Sequence, residues 1–154
     1  MAIALSVLLA GCWGTRGPGA VYYGELLESL AVPPGWELAH TRLREGMFGP
    51  NPCGPGDFSC PSAHHYFRVS GQPSDAYPAA RQLLIDAGFE IVRENVPCGD
   101  PRHGPAACRI EAARGADIAV AYLIEPGLDL DELGIAREGF SIIELRAYQD
   151  PEER

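Results

Sequence analysis

The chain has 154 residues, 46% of them apolar and 21% charged, the balance of a globular domain rather than of a disordered tail. Its 21 acidic residues outweigh 12 basic ones for a net charge of −9, and no basic stripe interrupts that excess, which argues against a nucleic-acid partner. All the basic residues are arginine, so a phosphate-binding P-loop and a Schiff-base lysine are both excluded.

Residues 2–10 form an apolar segment, too short to cross a bilayer as a helix. It ends in Leu9-Ala10-Gly11-Cys12, which resembles a bacterial lipobox. The resemblance implies that residues 1–11 are a signal peptide, that cleavage falls before Cys12, and that the Cys12 sulfur carries diacylglycerol of the palmitate type. A basic segment ahead of Arg16 is missing, which suggests a start further upstream. Each buried methylene contributes ~0.8 kcal/mol, so two acyl chains anchor durably where one would not. Residues 12–21 then read as the lipidated cysteine and a Gly/Pro-rich tether, whose nine residues after Cys12 reach ~30 Å when extended. The lipobox and the arginine-only, Gly- and Pro-rich usage together resemble the small secreted lipoproteins of actinobacteria. The domain resembles no enzyme family.

Cys53, Cys60, Cys98 and Cys108 remain. An even number of cysteines outside the cytosol reads as disulfides. Of the three possible pairings, the local one (Cys53–Cys60 and Cys98–Cys108) is favoured by the turn residues inside each loop, Gly-Pro-Gly-Asp and Gly-Asp-Pro-Arg-His-Gly-Pro. The same residues also suggest metal, through Cys53-x6-Cys60-x3-His64-His65 and Cys98-x4-His103-x4-Cys108. No Cys-x2-Cys pair is present, however, and zinc sites usually show one.

In chain order, Val21–Ala31 predicts a short helix, with Tyr23, Leu26, Leu27 and Leu30 on one face. Pro33-Pro34-Gly35 ends it. Trp36–Arg44 alternates as a strand, with Trp36, Leu38, His40 and Arg42 on one side. Residues 46–61 are a Pro/Gly loop, and His65–Ser70 is a second strand. Ser74 or Asp75 caps a longer helix, Ala76–Ala87, which Gly88 terminates. Phe89–Val96 follows as a strand, then Cys108–Arg114 and Asp117–Glu125 as a hairpin turning at Gly115-Ala116. Asp117–Glu125 is apolar on both faces, as a central strand should be. Residues 126–137 are an acidic connector with a helical turn at 130–133, Phe140–Tyr148 is the closing strand, and 150–154 a solvated tail. No internal repeat is apparent. The order predicts one α+β domain over 22–149, a two-layer fold with one main helix packed on one face of a mostly antiparallel sheet.

Catalytic signatures are sparse. There is no Gly-x-Ser-x-Gly elbow. His64 and His65 are adjacent, so in a strand they face opposite ways and cannot share a metal; one should be half-buried and the other exposed. His40 reads as a core histidine and His103 as a solvated one. Asp129, Asp131 and Glu132 lack the other ligands of a calcium loop. Ten acids after Ala116 against three arginines make that end electronegative, suited to solubility or to a basic partner. No catalytic residue, metal site or cofactor is therefore assigned. The expected function is that of a lipid-anchored extracytoplasmic binding or accessory protein, in contact with the membrane through its anchor and with a cell-envelope protein partner. The alternatives are a small cell-envelope hydrolase drawing on His64, His65, His103 or Asp100, and an extracellular metal-binding protein.

Overall fold

The computed structural model describes residues 18–46, 60–71, 73–95, 108–124, 134–135 and 140–149. They form two helices, α1 (Ala20–Glu28) and α2 (Pro73–Asp86), and six strands. The strands are β1 (Glu37–Arg44), β2 (Ser62–Val69), β3 (Glu90–Asn95), β4 (Arg109–Arg114), β5 (Asp117–Ile124) and β6 (Ser141–Gln149). They make a single antiparallel sheet in the order β1-β2-β6-β5-β4-β3. The class is α+β. The predicted turn at 130–133, the signal, residues 12–17 of the tether and the tail lie outside the described residues; Ala20 and Val21, expected in the tether, instead open α1, where Ala20 is fully buried against the fold.

Local chemistry explains the elements. α1 buries Tyr23, Leu26 and Leu27. α2 begins at Pro73, three residues earlier than predicted, so Ser74 and Asp75 lie in its first turn rather than capping it, and Pro78 falls in its second turn. β5 lies between β6 and β4, and its residues from Ile118 to Ala121 are all buried, as its two apolar faces predict. The main core joins Tyr23, Leu26 and Leu27 of α1 and Ala80, Leu83 and Leu84 of α2 to Ala63, Phe67, Ile110, Leu123, Ile143 and Leu145 of the sheet. Each Leu, Ile or Phe side chain among them contributes ~1.5–3 kcal/mol by leaving water.

Two bulges alter the faces predicted from simple alternation. In β1 the register slips between Leu38, opposite Phe67, and His40, opposite Tyr66. The extra residue turns His40 and Arg42 to the side away from the main core. His40 is thus not a core histidine: it is half-buried, its ring 5.9 Å from that of Tyr66. In β3 the slip lies between Ile91, opposite Ala112, and Arg93, opposite Glu111. It directs Glu94 toward α2, where Tyr77 and Arg81 donate to its carboxylate at 2.6 and 2.8 Å.

These bulges belong to an internal repeat that the sequence hides. Gly35-Trp36-Glu37-Leu38 leads from α1 into β1, and Gly88-Phe89-Glu90-Ile91 leads from α2 into β3. Gly35 and Gly88 have φ of 86° and 81°, a left-handed conformation that side chains resist. Trp36 and Phe89 both pack on the core. Glu37 pairs with Arg68 and Glu90 with Ala113, and each strand bulges two residues later. The order β1-β2-β6 is therefore repeated, turned by half a rotation, as β3-β4-β5. Under this correspondence Tyr66 matches Glu111, His64 matches Arg109, and Glu144 matches Val120.

Candidate functional site

β2 begins three residues before the predicted His65, at Ser62, and this extension creates the most organised polar cluster among the described residues. Ser62 and His64 are two residues apart and share the face away from the main core. Ser62 Oγ lies 3.1 Å from His64 Nε2. On the other side of the ring, His64 Nδ1 lies 2.7 Å from Glu144 Oε1 on the neighbouring strand β6. The Tyr66 ring stacks on that of His64 at 6.4 Å and 12°. Ser62 is 1% exposed and His64 4% exposed, whereas the Glu144 side chain retains 16%. Tyr66 packs with Ile135 and Ile142 in a second small core, and burial pushes its hydroxyl up to about 12.

The surroundings are set by register. Ser62 has Arg44 opposite it on β1 and Tyr148 on β6; His64 has Arg42 and Arg146. Further along this face the guanidinium groups of Arg146 and Arg109 lie 5.0 and 5.4 Å from the ring centres of Tyr148 and Tyr122. An acidic chain thus places arginines at the positions paired with this Ser–His–carboxylate array.

The two adjacent histidines do face opposite ways, but neither is exposed. His65 is 2% exposed. It lies on the core side, its ring set edge-on 6.2 Å from Phe67, and its Nε2 has no hydrogen-bond partner among the described residues. Each histidine is covered by its neighbours on its own face, His65 by Phe67 on the core side and His64 by Ser62, Tyr66 and Glu144 on the other. Burial lowers the His65 pKa from 6.5, against an opposing pull from Glu28 and with a smaller push from His64. A histidine held neutral in the fold takes up fewer protons than the unfolded chain, so stability rises with pH across this range. His65 therefore supports the fold above pH 6.5, and this contribution is lost as pH falls through the lowered value. Melting temperatures measured between pH 7 and pH 5 should fall more steeply for the natural chain than for His65→Leu; equal slopes would rule out this origin.

Cys60 and Cys108 are buried, and neither is a free thiol, since each is disulfide-bonded. They stand at opposite ends of the sheet: Cys60 precedes the end that holds Ser62 and Tyr148, while the Cys108 carbonyl accepts from the Leu123 amide near the other end. Eight-residue strands separate the two ends by ~23 Å, and a disulfide needs Cα atoms within ~7 Å, so these two sulfurs do not bond one another. Cys12, Cys53, Cys98, Asp100, His103, Asp129, Asp131 and Glu132 lie outside the described residues. Among the described residues no group of three or more His, Cys, Asp or Glu side chains could hold a metal ion, and no helix is long and apolar enough to cross a membrane.

Ser62 and Glu144 are the residues that sequence reasoning misses. The available signal was Ser-x-His at strand spacing; Glu144, 80 residues beyond His64, carries none. The chain matches no family model, no curated protein and no solved structure.

Proposed function

We propose that the chain is a lipid-anchored extracytoplasmic domain that serves as a binding or accessory protein, tethered to the membrane through Cys12 and working on a cell-envelope protein partner. The observation that carries this reading is the state of the cysteines. Cys60 and Cys108 are buried and disulfide-bonded, the state expected in an oxidising compartment. The link between β1 and β2 also contains Cys53, and the link between β3 and β4 contains Cys98. Local bridges Cys53–Cys60 and Cys98–Cys108 then clip one hairpin at each end of the sheet. A two-layer arrangement, with α1 and α2 on one face, is part of the same proposal; it is supported by the core cluster that both helices share with alternate strand residues.

Cys12→Ser should move the protein from the membrane pellet to the soluble fraction, essentially completely, and remove the acyl mass from its amino end. Retention of the variant in the pellet after carbonate washing would refute the anchor.

One observation favours a second reading, a small cell-envelope hydrolase: Ser62, His64 and Glu144 form the hydrogen-bonded order of a nucleophile, a base and an orienting acid.

A further inference from the structure

We propose that Ser62 is an acyl-accepting nucleophile, with His64 as its general base and Glu144 as the carboxylate that positions His64, and that the substrate class is small carboxylic esters. This deepens the hydrolase reading and rests on it.

The geometry is directional. Each ring nitrogen of His64 has a different neighbour, Glu144 Oε1 at 2.7 Å from Nδ1 and Ser62 Oγ at 3.1 Å from Nε2. A carboxylate accepting from Nδ1–H fixes the tautomer that leaves the Nε2 lone pair facing the serine hydroxyl. Ser62 and His64 are almost wholly buried, and in a low-dielectric setting such bonds are stronger than in water.

The internal repeat supplies a control. The positions that match His64 and Glu144 in the other half are Arg109 and Val120. There the sheet keeps the same register and the same bulge with no histidine–carboxylate pair. The array is therefore not a requirement of the fold. Charge points the same way: Arg44 lies across from Ser62, and Arg42 and Arg146 flank His64. Arginines at the paired positions on both neighbouring strands give this part of the sheet a positive character, which suits a reaction that develops negative charge on a carbonyl oxygen.

The reaction balances without a cofactor. The Ser62 oxygen bonds to the ester carbonyl carbon while the hydroxyl proton passes to His64 Nε2. The ester C–O bond then breaks, and the departing oxygen takes the proton from Nε2, leaving free alcohol and acyl-Ser62. Water adds to the acyl carbon and gives a proton to Nε2; the Ser62 oxygen leaves and recovers it, releasing the carboxylic acid. Glu144 touches no reacting atom and acts through His64.

The full chain is treated with a small fluorophosphonate and, separately, with p-nitrophenyl acetate, followed by intact-mass and peptide analysis. The proposal expects one adduct, on Ser62. Labelling should be absent from Ser62→Ala and at least about 100-fold slower in His64→Gln. Glu144→Gln should slow labelling and lower kcat more than it raises KM, and Glu144→Asp should restore part of the rate, which a carboxylate serving only to hold the sheet together would not do. Thermal melts of each variant identify any that fail to fold; should His64→Gln be one, Ser62→Ala and the adduct position still decide. A folded natural chain with unmodified Ser62 overturns the assignment. If ester is hydrolysed while the label sits elsewhere, the Ser62 assignment falls and the hydrolase reading stands; if there is neither turnover nor label, both fall.

Discussion

Ile143→Ala should lower the unfolding free energy by about 3–4 kcal/mol, within the ~2–5 kcal/mol typical of Ile→Ala in a core. Ile143 is fully buried on β6, with Phe67 opposite it on β2 and Leu123 opposite it on β5. Both neighbouring strands are held by continuous antiparallel pairing, so the walls of the resulting cavity cannot move inward to fill it. The side chain also lies in the cluster that joins α1 and α2 to the sheet, so the loss is felt by both helices and the sheet. Val92 is the control: it is 55% exposed beside the β3 bulge, and Val92→Ala should change stability by less than ~0.5 kcal/mol. Urea titrations with unchanged slope would show that the difference lies in the native state. A cost for Ile143→Ala below that of Val92→Ala would refute this placement of the core.

The eight elements were legible because each carries its own periodicity and punctuation. The stripe of Tyr23, Leu26 and Leu27 marks α1, Gly88 ends the second helix, and the doubly apolar run from Ile118 to Leu123 marks a central strand. The faces were less legible. One extra residue at each bulge reverses every side chain beyond it, which is why His40 and Arg42 left the side of Leu38, and Glu94 turned to meet Tyr77 and Arg81. The start of β2 was hidden for a different reason. Ser62, Ala63 and His64 have no strong strand preference, and they are held in β2 by pairing on both sides, with Arg44 to Arg42 and with Tyr148 to Arg146. The Ser62–His64–Glu144 array was invisible for the same cause, since it exists only once β6 has docked beside β2. The internal repeat is hidden in the sequence because its two copies share a left-handed glycine, an aromatic residue and a glutamate rather than a long identical run.

Reduction of the native protein should cost about 5 kcal/mol of stability. If the bridges are Cys53–Cys60 and Cys98–Cys108, they close loops of about eight and eleven residues, and chain-entropy reasoning gives ~2.5–2.8 kcal/mol for each. Because Cys60 and Cys108 stand at opposite ends of the sheet, the two losses should add. The paired variants Cys53→Ala/Cys60→Ala and Cys98→Ala/Cys108→Ala should each lose about half of the total, and the fourfold variant should match the reduced protein. Peptide mapping without reductant should recover only the two local links. A crossed link, or reduced and oxidised melting temperatures that coincide, would overturn the local pairing. Small domains have ~5–15 kcal/mol of net stability, so a loss of 5 leaves this fold marginal when its thiols are reduced. Bridges of this pairing would sit just before β2 and β4, and β2 carries Ser62 and His64.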